Sequence, residues 1–213
     1  MPRTLKPLLS LMLVPLVLAT AGCGKPGPAG GENYQTISED PNRDTAAAKA
    51  RYAEALESFE TGDLAGAERL LKAALAADLM FGPAHNNLGA VYLRQAKYYL
   101  AAWEFQYAAK LMPDQAEPRN NLGLVFETVG RLAEAAKWYD QALALAPESS
   151  DVVANLARVY IRTNRKDEKT RQLLAKIVLK DPRPEWVTWA RGQLSRLGQP
   201  KCLPEITEPD GRE

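Results

Sequence analysis

Three asparagines, Asn87, Asn121 and Asn155, recur at a spacing of 34 residues. An amide both donates and accepts, so a row of them, brought into line by stacked helices, suits a peptide backbone whatever its side chains. Arg158 and Arg162 stand four apart, one turn of a helix, and Arg94 is a third candidate for the same surface. A guanidinium is a planar fork of donors that matches a carboxylate. A solvated basic face is the plainer reading of these arginines. The remaining reactive groups are few: one histidine, His85, and two cysteines, Cys23 and Cys202. That is too little for a zinc site or a disulfide framework. No nucleophile with a base, acid-base pair or phosphate loop stands out, so neither an enzyme nor a cofactor or metal is expected.

The 213 residues are 46% apolar and 25% charged, with 27 lysines and arginines against 26 aspartates and glutamates. This is the composition of a chain with a core and no global field, so nucleic acid is not an expected partner.

Arg3 and Lys6 precede the run PLLSLMLVPLVLA, from Pro7 to Ala19. It has the charged start and apolar middle of a secretory signal. A spanning helix needs about 20 apolar residues, and this run is shorter and interrupted by Pro15. Ala21-Gly22-Cys23 then resembles a bacterial lipobox, with Thr20 where leucine is usual. The resemblance implies that residues 1–22 are removed and that Cys23 carries lipid as the mature N-terminus. Gly24 resembles the residue after the cysteine in lipoproteins forwarded to the outer membrane, in hosts that have one. Each buried CH₂ contributes about 0.8 kcal/mol, so several acyl chains on one residue anchor stably. The alternative is an ordinary signal peptide with Cys23 incidental and a soluble exported product. Residues 23–43 are rich in glycine, proline and polar groups and read as a tether reaching about 25 Å. Residues 198–213 read as an unpatterned tail, with Cys202 an exposed thiol.

Between these ends the chain repeats. Asn87-Leu88-Gly89 returns as Asn121-Leu122-Gly123 and as Asn155-Leu156-Ala157. Tyr92, Ala101, Phe105, Ala108 and Pro113 return as Phe126, Ala135, Tyr139, Ala142 and Pro147. This pattern resembles the tetratricopeptide repeat, whose signature is W-x₂-L-G-x₂-Y, then A-x₃-F, then P. The first-position tryptophan is replaced by His85, Arg119 and Val153. A degenerate unit at 45–78 keeps Ala55, Gly62, Ala67 and Ala74 in phase; units at 82–115 and 116–149 follow, and one at 150–182 gains a residue before Asp181-Pro182.

Apolar residues at helical spacing make each unit a hairpin of two amphipathic helices. Gly89 and Gly123 fall inside helices, where glycine costs about 1 kcal/mol against alanine, so close approach of a neighbour is expected there. Proline stops each second helix. A stack needs a cover with a polar outer side, and residues 183–197, with Trp186 and Trp189 on one face, supply a capping helix. The expected fold is all-α: a curved, right-handed α-solenoid of about four hairpins. Helices are predicted near 45–60, 64–77, 82–95, 98–111, 116–129, 132–145, 150–163, 167–180 and 184–197.

The resemblance implies that the first helix of each hairpin lines a concave face that holds extended peptides or partner helices. Two readings of Asn87, Asn121 and Asn155 stand: a ladder that grips a ligand backbone, or amides that satisfy the scaffold. The family's carboxylate clamp is not implied, because the first unit offers Lys49 without a matching asparagine. The expected role is a non-catalytic adaptor that binds a protein or peptide partner in the bacterial cell envelope and meets the membrane through lipid on Cys23. A homo-oligomer whose face is filled by another copy is the alternative.

Overall fold

The computed structural model describes residues 43–198; the leader, Cys23, the tether as far as residue 42 and the tail from residue 199, with Cys202, lie outside the described residues. Within them the chain forms nine α-helices and no strand. These are α1 (Thr45–Glu60), α2 (Leu64–Ala77), α3 (Gly82–Arg94), α4 (Tyr98–Leu111), α5 (Glu117–Thr128), α6 (Leu132–Leu145), α7 (Ser150–Arg162), α8 (Glu168–Lys180) and α9 (Pro184–Leu197). Each boundary lies within one residue of its expected place. Consecutive helices pack into hairpins α1–α2, α3–α4, α5–α6 and α7–α8, each second helix packs on the next first helix, and α9 covers α8. This is an all-α solenoid of stacked hairpins.

Short-range chemistry sets the ends. Asp44, Asp63 and Asp167 accept from the backbone N–H three residues on, at 2.9 Å in each case, and so satisfy donors that the first helical turn leaves open. The turn inside each hairpin needs one residue with positive φ: Gly62 (85°), Ala96 (58°), Gly130 (81°) and Asn164 (56°), again 34 apart. In the last three hairpins the next N–H reaches back to Tyr92, Phe126 and Tyr160 O at 2.8 Å, closing the helix end. Alanine bears a cost of about 1 kcal/mol there that glycine does not, so Ala96 marks the one turn whose residue type opposes its conformation.

Between the helices the repeat signature becomes packing. A Cβ built on Gly89 would lie 2.8 Å from the Phe105 ring, and one on Gly123 would lie 2.5 Å from the Tyr139 ring. Both rings are fully buried, as are Ala101 and Ala135 at the crossings. Leu88, Leu122 and Leu156 line the same interior. At the end of the stack, Ala190 and Leu194 of α9 are buried, and Trp186 meets Trp189 edge to face at 5.3 Å and 82°. Among the described residues, no helix is long and apolar enough to cross a membrane.

Candidate functional site

The first helices lie side by side: α3 touches α5, α5 touches α7, and Asn87 of α3 bonds to Tyr52 of α1. They form one layer of the stack and the second helices form the other. The asparagines meet across this layer as a ladder with two residues per rung. Asn121 Nδ2 donates to Asn86 Oδ1 at 3.1 Å, and Asn155 Nδ2 donates to Asn120 Oδ1 at 3.0 Å. Where the first hairpin has no asparagine, Asn87 Nδ2 donates to the Tyr52 hydroxyl at 2.7 Å and to Pro83 O at 3.2 Å. Burial and the charge of Glu117 push the Tyr52 phenol up, against the Asn87 bond, which lowers it. Asn86 Nδ2 in turn donates to Glu117 Oε1 at 2.9 Å.

The amide donors of Asn87, Asn121 and Asn155 are thus engaged between hairpins, which is what the scaffold reading requires. Among the described residues the side-chain carbonyls of Asn87 and Asn121 and the amide of Asn120 make no such bond. None of these atoms is fully buried, because Gln95 Oε1 is the one buried side-chain polar atom there without a partner. Two grooves follow this edge. One, of about 640 Å³, runs along Tyr52, Asn86, Asn87 and Glu117; the other, of about 350 Å³, runs along Glu117, Asn120, Ser149 and Asp151.

Arg158 and Arg162 converge on a residue the sequence did not single out. Glu127, 6% exposed, receives Arg158 through a two-pronged pair, Nε to Oε1 and Nη2 to Oε2, both at 2.8 Å. Arg162 Nη1 reaches Oε1 at 2.8 Å and the Tyr139 hydroxyl donates to Oε2 at 2.9 Å. Arg158 Nη2 also reaches Asn155 Oδ1 at 2.9 Å, joining this cluster to the ladder. Burial pushes the Glu127 carboxyl up, but the two guanidinium groups and the Tyr139 hydroxyl outweigh it and hold it below the ordinary glutamate value. Burial and the Glu127 charge drive the Tyr139 phenol upward. Two cations meet one carboxylate, which leaves positive charge in surplus, and Arg162, whose side chain is 46% exposed, presents it. The signal was there in register: at the positions equivalent to 127 the chain has Leu93 and Ile161.

Arg94 does not join this group. Its guanidinium lies 4.8 Å over the Phe59 ring and donates to Phe59 O at 3.4 Å. His85 is buried, with Nδ1 2.6 Å from Glu104 Oε2 and Nε2 2.9 Å from Leu79 O, so both ring nitrogens are engaged. Among the described residues no group of three histidine, cysteine or acidic side chains could hold a metal.

Residues 128–188 match the tetratricopeptide repeat. Solved structures with this fold include YrrB, described as a tetratricopeptide-repeat protein with an unusual peptide-binding site. It is 23% identical, aligned over 70% of this chain and 76% of its own, at a TM-score of 0.58. The first repeat domain of Spaghetti (RPAP3), solved with the HSP90 peptide SRMEEVD, is 19% identical over 59% of this chain and 99% of its own, at 0.57. The pilF protein of Pseudomonas aeruginosa is 21% identical over 74% and 78%, at 0.61. At these identities the likeness establishes the fold. No curated protein matches the sequence.

Proposed function

We propose that this tetratricopeptide-repeat chain is a non-catalytic adaptor of the bacterial envelope, anchored by lipid on Cys23, that holds an extended segment of a partner protein along its first helices. The observation that carries this reading is the uncommitted side of the ladder. The carbonyls of Asn87 and Asn121 and the amide of Asn120 offer acceptors and a donor to a passing backbone. The positive surplus at Arg162 adds a charge-assisted contact for a carboxylate at one end of that path. Peptide binding by two proteins of the same fold, YrrB and the Spaghetti domain, supports it. The anchor rests on the lipobox resemblance at Ala21-Gly22-Cys23.

One experiment separates the two halves of the proposal. Cells producing the full chain are cross-linked, fractionated, and the chain recovered with its partners. Cys23→Ser is expected to move the chain from the membrane to the soluble fraction. Arg162→Gln is expected to leave it in the membrane, folded because Arg158 still holds Glu127, but to reduce one partner's recovery about tenfold, the effect of losing a charged contact worth about 1.5 kcal/mol. An unchanged fractionation would reject the anchor, and an unchanged partner set would reject the face.

A further inference from the structure

The second helices carry a different pattern. The residue gained by the fourth hairpin shifts α8 by one, so that Thr170, Leu174 and Ile177 take the buried places of Ala135, Tyr139 and Ala142. At one register of this layer stand Arg69 of α2, Trp103 of α4, Lys137 of α6 and Gln172 of α8. Two hairpins place a cation there and α8 places an amide; α4 places an indole that is 61% exposed. One turn earlier, Tyr99 is 79% exposed where the other hairpins have Ala65, Ala133 and Glu168. Beside it, Leu100 is 43% exposed where they have Gly66, Glu134 and Lys169. The same fold is therefore built three times without a large apolar group at these positions, so packing of the repeat does not call for them. The rings border a cleft of about 410 Å³ between α4 and α5, lined by Tyr98, Tyr99, Trp103, Phe126, Val129 and Arg131.

Charge around this cleft has one sign left over. Every carboxylate of α2, α4 and α6 is engaged. Glu68 holds Lys72 at 2.6 Å and Lys97 at 3.3 Å; Glu104 holds His85; Glu134 holds Arg131; Asp140 holds Lys169 and the Tyr160 hydroxyl. Arg69, Lys110 and Lys137, on the same three helices, have no carboxylate within bonding distance among the described residues. The layer is thus apolar at its middle and cationic at its rim, with the tryptophan, tyrosine and arginine that dominate protein interfaces.

We propose that α4 and its flanking helices form a second docking surface, for an acidic segment of a partner protein that seats a bulky apolar side chain in the α4–α5 cleft. A cleft of side-chain size favours a protein over an anionic lipid surface, which would need protruding groups alone. The surface is separate from the asparagine ladder, so a bound chain could engage both layers at once.

The test pans a random displayed library of peptides about 12 residues long against the full chain, with the Trp103→Ala chain for counter-selection. Trp103 is largely exposed, so this variant keeps its helices, which circular dichroism checks; Lys137→Glu is a second variant that leaves the cleft intact. The expected result is enrichment of sequences in which aspartate or glutamate flanks leucine, phenylalanine or tryptophan. Their affinity should fall tenfold or more in Trp103→Ala, fall in Lys137→Glu, weaken as salt is raised, and stay unchanged in Asn121→Ala. Failure to enrich beyond the Trp103→Ala chain, or selected sequences without carboxylates, would overturn the proposal. So would a Trp103-dependent emission shift on phosphatidylglycerol vesicles without peptide enrichment, which would assign the surface to lipid. A Trp103-dependent rise in mass with concentration would assign it to a second copy.

Discussion

Arg158→Met should lower the unfolding free energy at pH 7 by about 3 kcal/mol, because it strands a buried carboxylate. Glu127 is 6% exposed, and its two-pronged partner would be gone, leaving Arg162 and the Tyr139 hydroxyl. The sign of the pH dependence follows from the depressed folded value of Glu127. In the wild type its pairing contributes stability that is present above the unfolded glutamate value of 4.5 and is lost as pH falls through the lower folded value. In Arg158→Met an ill-paired Glu127 takes up a proton more readily, so the difference between the two proteins should shrink as pH falls from 7 to 4. Urea midpoints at both pH values measure this. The neighbouring hairpins suggest the repair: Leu93, Phe105 and Leu124 stand at the registers of 127, 139 and 158. Glu127→Leu, Tyr139→Phe and Arg158→Leu together should therefore recover most of the loss, since a buried ionic group exchanged for apolar residues of similar volume is often neutral or stabilising. A cost under about 1 kcal/mol for Arg158→Met, or one that does not shrink on acidification, would show that the cluster is not what joins α5 to α7.

Gly123→Ala should also destabilise, by about 2 kcal/mol, even though alanine is the better helix former by about 1 kcal/mol. The added Cβ would lie 2.5 Å from Cδ1 and Cε1 of Tyr139, a ring that is fully buried and held at its far end by Glu127, so it has nowhere to turn. Gly89→Ala should cost less, because its Cβ would meet the Phe105 ring at 2.8 Å and Phe105 has no tether. Phe105→Leu should recover part of the Gly89→Ala loss by opening space. Thermal or urea midpoints rank the variants. A neutral or stabilised Gly123→Ala would mean that α5 and α6 can separate freely, and that the glycine is not there for close approach.

Most of the fold was legible because two periods reinforce one another. The 34-residue period fixes where hairpins begin, and the helical period within it fixes which face is buried, so boundaries fell within a residue. The prolines and the glycines at 89 and 123 carried their physical reasons with them. What the sequence hid lies where one hairpin departs from the others in charge or polarity. A glutamate at 127 reads as a solvated end-of-helix residue until Arg158 and Arg162, 31 and 35 residues later, are brought against it. Asn86 and Asn120, one residue before the predicted ladder, turned out to supply the acceptors for the next rung, which no spacing rule separates from the alternative. Arg94, in register with Arg162, parts company with it because the residue 35 places before it is Phe59 where Arg162 has Glu127, so its guanidinium meets a ring and not a carboxylate. The departures of α4 at 99, 100 and 103 were visible in register, but their exposure was not.

A partner protein held along the first helices, as proposed, would pass over α5. Leu124 of α5, half-buried and at the register of Ala90 and Arg158, lies on that face; Ala144 of α6 is exposed on the other layer. A photo-cross-linking phenylalanine analogue is placed at each position in the full chain and activated in cells. The expected result is an adduct with a different protein from position 124, diminished by Arg162→Gln, and none from position 144. Adducts from 144 alone, no adduct from 124, or only chain-to-chain products from 124 would contradict it.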